Sequence, residues 1–421
     1  MKHTERRFHN VSLFCGICLW LLCGCADPPE LPALVEEGWA AYQARDAETL
    51  QSVMTAAIKR DKRSVEVRFL RGLYLIRSGS PQASLVPLRD AARAESLRPR
   101  AAIAAAQAYY DLGQFQAVQQ VLNDVLQQQP ENIDAHRLLA ALYYDLGVNP
   151  RAIHHLETVA RLDLQDPRPH RLIGLMRKDF QDYPAAVEAY QAALARHPKP
   201  ALAAEIRLEL AQSLISQREY AAALTALAAD DQSPDALTVR LQCLDSLGRR
   251  EQAASIVTAA IALTEPPATL CLALGDFYES GGKQSEAIAA YEQAATIDPL
   301  DFIPRYKLSS AYARAGRDAD ARRELEAMQA NRARYDQLHE LQNQAMEQTE
   351  DADLRYRIGE AAAALGRHEL AQAWYRAALG LDPTHAAAQA RLSQAPSAEA
   401  SEGGLPENAE KPAARAAAPA P

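Results

Sequence analysis

Residues 268–301 read ATLCLALGDFYESGGKQSEAIAAYEQAATIDPLD. Apolar residues recur every three or four positions on both sides of Gly281-Gly282, which is the spacing of two helices and not of strands. Gly282 offers the first helix a left-handed stop, and Pro299 ends the second. Numbered as a unit of 34 residues, the segment places Leu274 and Gly275 at positions 7 and 8, Tyr278 at 11 and Gly282 at 15. Ala287 follows at 20, Tyr291 at 24, Ala294 at 27 and Pro299 at 32.

The same phases recur along the chain. Of 18 glycines, five stand at position 8 (Gly38, Gly72, Gly174, Gly275, Gly359) and seven at position 15 (Gly79, Gly113, Gly147, Gly248, Gly282, Gly316, Gly366), so two positions hold most of them. At position 8 the missing side chain lets a neighbouring helix approach, against a helix-propensity cost of about 1 kcal/mol. At position 15 glycine takes the left-handed cap without strain. Alanine recurs at position 20 (Ala152, Ala186, Ala223, Ala253, Ala287, Ala321, Ala371) and bulk at position 24 (Leu88, Leu122, Leu156, Tyr190, Tyr291, Tyr375), small opposite large. Pro130, Pro198, Pro299 and Pro383 share position 32.

In this phase five contiguous units run over 31–200, a spacer and a short degenerate unit over 201–233, and three units over 234–335. An insertion at 336–351 and a last unit at 352–385 follow, with 386–392 as the end of its capping helix. The short unit is expected to have an abbreviated second helix near Asp230–Asp235. No Gly or Pro occurs between Arg317 and Asp351, so the insertion reads as a lengthened helix. Its stripe of Tyr335, Leu338, Leu341 and Ala345 should pack on a neighbour or protrude as an interaction arm. Residues 393–421, rich in Ala, Pro, Glu, Ser and Gly, are expected to be disordered.

The pattern resembles the tetratricopeptide repeat. That resemblance implies an all-α, right-handed superhelical solenoid of about ten helix-turn-helix units. It also implies a non-catalytic scaffold that takes a protein or an extended peptide in a concave groove lined by first-helix positions 2, 5, 9, 12 and 13. Mapped onto the middle units, position 12 gives Tyr110, Tyr144 and Lys178, and position 13 gives Asp111, Asp145 and Asp179. Position 5 gives Arg137 and Arg171. Aromatic and arginine side chains are the types that most often carry interface energy. The Asp ladder is open to two roles, neutralising the arginines or meeting basic groups of a ligand. Chaperone-type members hold a C-terminal carboxylate with Lys at position 5 and Asn at position 9. Here Arg137 is paired with Ala141 and Arg171 with Leu175, so that clamp is absent.

The N-terminal residues differ in kind. Lys2, Arg6 and Arg7 precede an apolar run from Val11 to Cys23, too short to span a bilayer but suited to a signal peptide over 1–24. Leu22-Cys23-Gly24-Cys25 resembles the lipobox of bacterial lipoproteins, which implies acylation of Cys25 and a short anchor linker over 25–30. Ala26 follows the cysteine, with Asp27 one place later, and the sorting rule of that family then favours the outer membrane, facing the periplasm, over the inner membrane. Removing the leader takes away net positive charge, so the remaining chain is more acidic than the formal −9 of the whole. Nucleic acid is therefore not an expected partner.

Searches for chemistry return little. Gly275–Lys283 falls short of a phosphate loop, with Phe277 where glycine is needed and Gln284 in place of Ser/Thr. His154 and His155 are adjacent, so on a helix they diverge by about 100° and read as surface histidines. Cys243 and Cys271 lack C-x-x-C spacing and read as separate buried thiols. No metal or cofactor is expected. Two alternatives stay open: an accessory factor for outer-membrane assembly, secretion or polysaccharide export, and an enzyme or enzyme subunit acting on envelope polymers, whose catalytic groups would leave no local motif.

Overall fold

The computed structural model describes residues 30–146, 148–348 and 351–394. The expected leader, Cys25, Gly147 and the tail from 395 onward lie outside the described residues. Among the described residues there are 21 helices and no strand. They follow as α1 (Leu31–Gln43), α2 (Ala47–Asp61), α3 (Val65–Arg77), α4 (Pro81–Ala91), α5 (Arg98–Asp111), α6 (Phe115–Gln128) and α7 (Ile133–Asp145). Next come α8 (Asn149–Leu162), α9 (Arg168–Asp179), α10 (Tyr183–Leu194), α11 (Pro200–Ser216), α12 (Tyr220–Ala226), α13 (Pro234–Ser246) and α14 (Arg250–Ile261). The series ends with α15 (Ala268–Ser280), α16 (Gln284–Ile297), α17 (Phe302–Arg314), α18 (Asp318–Glu347), α19 (Ala352–Ala364), α20 (His368–Leu381) and α21 (Ala386–Gln394). Two compact units divide within α5, one through Ala108 and one from Tyr109.

Nine first helices end the same way among the described residues. Gly79, Gly113, Gly248, Gly282, Gly316 and Gly366 all have φ between 68° and 73°. The position-15 residues of three other units, Arg45, Gln181 and Arg218, adopt φ of 58°, 60° and 62° although they carry side chains. The residue after each returns its N–H to a carbonyl five residues back, as Lys283 does to Tyr278 and Asp46 to Ala41, both at 2.9 Å. This is a helix C-cap hydrogen bond, and it recurs whether or not glycine is present. Glycine eases this turn but is not its cause, since Arg45, Gln181 and Arg218 take the same left-handed conformation.

Position 8 works differently. A Cβ built on Gly174 would lie 2.7 Å from Cε1 of Tyr190, and Gly275 and Gly359 would meet Tyr291 and Tyr375 in the same way. In these three units the position-24 tyrosine of the second helix thus lies across the glycine of its own first helix. In the N-terminal unit Gly72 receives Leu88 likewise, whereas Gly38 receives Leu70 of the following helix pair. The position-20 alanines Ala152, Ala186, Ala223, Ala253, Ala287, Ala321 and Ala371 are all buried.

The added turns of α18 do not form an arm. Leu338, Leu341 and Ala345 are buried in one cluster with Leu354, Ile358 and Ala362 of α19 and Tyr375 of α20. Tyr335 stands edge-on to Phe302 at 5.6 Å and under the Arg367 guanidinium at 4.9 Å. Asn331 also donates to the Pro299 carbonyl at 2.9 Å. Two expectations about boundaries change. The residues read as a spacer, 201–203, are the first turn of α11. Residues 386–392 are not the end of α20, because Pro383 interrupts it and a separate α21 begins at Ala386. There the Nδ1 of His385 accepts the Ala388 N–H at 3.2 Å. The second helix of the short unit, α12, has seven residues, and Leu227 leaves it in extended conformation. The segment before α13 is held by buried Arg240, which donates to the carbonyls of Ala228 and Asp231.

Candidate functional site

Tyr110, Tyr144 and Lys178 are the penultimate residues of α5, α7 and α9, each at unit position 12. The Tyr110 hydroxyl donates to the carboxylate of Asp145, the position-13 residue of the next unit. The Tyr144 hydroxyl lies in the field of Asp179, again one unit on, and of Asp145. Burial, followed by these carboxylates, raises both phenols far above the ordinary range, so both stay protonated donors. Tyr110 is thus bonded at position 12 to position 13 of the following unit, and Tyr144 has the charge of the corresponding aspartate, Asp179, acting on it. Asp145 is committed to a tyrosine, neither of the two roles expected for it. Asp111, Asp145 and Asp179 are all exposed.

The arginines take no part in these contacts. Arg137 bonds Asp166 at 2.8 Å and Asp163 at 3.2 Å, both in the connection between α8 and α9, with Asp134 at 3.6 Å. Burial pushes the Asp166 carboxyl up, but hydrogen bonds from Arg168 and the charges of Arg168 and Arg137 outweigh it and hold the carboxyl below its usual value. Arg171 instead reaches α11, where it bonds Glu205 at 2.6 Å and Glu209 at 2.7 Å with its side chain only 12% exposed. Burial pushes the Glu209 carboxyl up, opposed by the Arg171 hydrogen bond and charge. The divergence has a sequence cause. Positions 2 and 6 of the next unit are Glu205 and Glu209 for Arg171, but Arg168 and Leu172 for Arg137. Lys178 is half-buried, and its charge bears on Glu209.

A second motif escaped the sequence reading. The Tyr291 hydroxyl donates to Asp276 at 2.7 Å, and Lys307 of the following unit bonds the same carboxylate at 2.8 Å. Tyr375, Glu360 and Arg391 repeat this arrangement at the C-terminal end. In both, a tyrosine at position 24 passes over glycine at 8 to an acid at 9, and a base six residues into the next helix closes the relay. The signal was legible as Gly275-Asp276 and Gly359-Glu360, each followed by tyrosine at 24. In the unit of α9 and α10 the pair is Gly174-Leu175. There the Tyr190 hydroxyl is fully buried and has no hydrogen-bond partner.

His155 is not a surface residue. Half-buried, it faces α7, with its Nδ1 2.8 Å from Nδ1 of buried His136 and its ring stacked on Tyr143. His136 Nε2 lies 2.9 Å from the Pro130 carbonyl, which can only accept, so Nε2 carries the proton and Nδ1 accepts from His155. Burial, then the charges of His136, His154 and Arg151, lowers His155 to about 4. Cys243 and Cys271 are buried and unbridged, and burial raises both thiols. The segment at Gly275–Lys283 is mostly the helix α15, with no phosphate cradle in it. Among the described residues no group of three His, Cys, Asp or Glu is placed to hold a metal, and no helix is long and apolar enough to cross a membrane.

Three family models described as tetratricopeptide repeats match the chain, at 110–176, at 171–236, and at 268–299 with 352–385. No curated protein matches it. Among solved structures, a tetratricopeptide repeat protein from Parabacteroides merdae is 16% identical, with 59% of this chain and 98% of that one covered and a TM-score of 0.40. The C-terminal part of a repeat protein from Cytophaga hutchinsonii is 13% identical over 65% of this chain and 99% of its own, with a TM-score of 0.42. PilW, a type IV pilus biogenesis factor, is 17% identical over 50% of this chain and 97% of its own, with a TM-score of 0.37.

Proposed function

We propose, from the premise that the chain is an all-α array of tetratricopeptide repeats, that it is a non-catalytic scaffold anchored by lipid at Cys25 in a bacterial cell envelope. Its address is the periplasmic face of the outer membrane, and it holds an extended peptide or protein against the first helices of its middle units. The observation that carries the reading is the bond of Tyr110 to Asp145 across a repeat boundary, with Tyr144 at the same position of the next unit. Tyr110 is oriented by the chain itself, so a partner meets there an aromatic side chain whose entropy is already spent. The lipobox-like residues before Cys25 support the anchor, and acyl chains hold a domain at a membrane without a spanning helix.

Two measurements test this. Cys25→Ser should move the protein from the membrane fraction to the soluble one with its helical circular dichroism unchanged. Recovery of the variant in salt-washed membranes would remove the anchor. Cross-linked capture from envelopes should lose its partner when Tyr110 and Tyr144 are both changed to alanine, at a cost of tenfold or more in affinity. Undiminished capture by that variant would remove these tyrosines from the interface.

A further inference from the structure

Tyr190 poses a question that the rest of the fold answers by example. In the two other units that carry tyrosine at position 24, the hydroxyl emerges beside position 9 of the first helix and finds a carboxylate there, Asp276 or Glu360. A cation six residues into the next helix then meets that carboxylate, Lys307 of α17 in one case and Arg391 of α21 in the other. In the unit of α9 and α10 the tyrosine lies over its glycine in the same way, but position 9 is Leu175. The donor is in place and the acceptor is absent.

The cations are present too. Arg171, Leu175 and Lys178 are spaced i, i+4 and i+7 along α9, so they share one helix face with the leucine between the two charges. The Tyr190 ring crosses α9 at Gly174, next to Leu175, so its hydroxyl lies beside that face, with burial and the charges of Glu209 and Asp179 raising its pKa. Glu209 stands at position 6 of the next unit, where the complete relays have a base. It is tied to Arg171, so the resting site neutralises its own arginine without supplying the hydroxyl with an acceptor. A buried hydroxyl without a partner is costly to the fold, and nothing in the chain at this place relieves it.

We infer that the face of α9 over Leu175 is a receiving site for a carboxylate of the bound partner, which accepts from the Tyr190 hydroxyl and lies between Arg171 and Lys178. The site differs from a clamp on positions 5 and 9, because its donor comes from the second helix and passes over Gly174. Lys178, half-buried on the same helix face, pairs with the incoming group. The inference rests on the scaffold reading above and narrows it to partners that present an acidic side chain or a terminal carboxylate along an extended segment.

The test is a fluorescence-anisotropy titration of the full chain with three labelled peptides: amidated (Ala-Glu)6, (Ala-Gln)6 with a free C-terminal carboxylate, and amidated (Ala-Lys)6. Saturable binding of either carboxylate peptide supports the site and identifies the source of the group, side chain or terminus. Tyr190→Phe should weaken that binding about tenfold or more while leaving thermal stability equal or higher, since it removes an unsatisfied hydroxyl. Leu175→Glu, which installs the internal acid of the complete relays, should abolish binding and keep the helical spectrum. Binding of the Lys peptide in place of the acidic ones would overturn the inference, as would wild-type affinity in Tyr190→Phe or a loss of stability in that variant. The titration is separable from the envelope capture, which registers a partner of any chemistry. Failure here leaves the scaffold standing, and failure there leaves these affinities as measured.

Discussion

Replacing Gly275 by alanine sets two known effects against each other. Alanine in place of a mid-helix glycine gains about 1 kcal/mol of helix propensity. Against that, the new Cβ would lie 2.9 Å from Cζ of Tyr291 and closer still to Cδ1 and Cε1. The ring cannot withdraw freely. It is fully buried, it packs in a cluster with Leu308 and Ala311, and its hydroxyl is tied to Asp276 at 2.7 Å and Glu279 at 3.1 Å. Overpacking costs about 1–3 kcal/mol, and opening a buried hydrogen bond to a carboxylate adds about 1–3 kcal/mol if the ring shifts. Packing wins, and the variant should lose about 1–5 kcal/mol net. Urea unfolding followed by circular dichroism reads the loss, and hydrogen exchange should place it in α15 to α17, since repeat arrays lose stability locally. Adding Tyr291→Leu should recover at least half, because the smaller side chain vacates the space over the alanine. A Gly275→Ala protein as stable as the parent, or more so, would refute the claim that this glycine exists to seat the tyrosine.

Arg45→Gly and Arg218→Gly should each stabilise by about 0.5–1 kcal/mol, because a left-handed residue with a Cβ costs about 1–2 kcal/mol and the gain is partly offset in the unfolded chain; an unchanged urea midpoint would count against strain at these turns. Ala287→Phe should destabilise by about 1–3 kcal/mol or more by overpacking a fully buried site, and an unchanged melting transition would contradict the small-against-large phase. On acidification, His155 stays neutral in the folded chain down to about pH 4, whereas an unfolded histidine takes its proton near pH 6.5. The unfolded state thus binds more protons across that window, so stability should fall as pH drops through it. His155→Phe should flatten this part of the profile, and an imidazole titrating near 6.5 in the folded protein by NMR would dismiss the pairing with His136.

The helix pairs were legible because their punctuation is chemical. Glycine at 8 and 15, alanine at 20 and proline at 32 each answer a local demand, so phase survives even where single marks are missing. Arg45, Gln181 and Arg218 illustrate the limit, since their left-handed backbone follows from nothing in their own identity. Site residues were legible as positions but not as partners. Tyr110 meets Asp145 across a repeat boundary, and the offset between successive units is a packing quantity that no single unit encodes. Arg137 and Arg171 share a position and part company because only one is followed by acids at positions 2 and 6. The stripe on α18 was read correctly as apolar, but whether it would pack or protrude depended on where α19 folds back, which the spacing alone leaves open.

The seven-residue α12 has a mechanical consequence. In an array held together by nearest-neighbour contacts, the joint with the least shared surface yields first, whatever the strength of the repeats beside it. A full second helix here would transmit load from α11 to α13 over several turns. The short one leaves much of that duty to the carbonyl grip of Arg240 on Ala228 and Asp231. Pulled from its ends, the chain from Tyr109 onward should therefore extend in two steps, parting at residues 227–233 before either flank gives way. A protein tethered at one end while its partner is dragged at the other would carry its own shear pin.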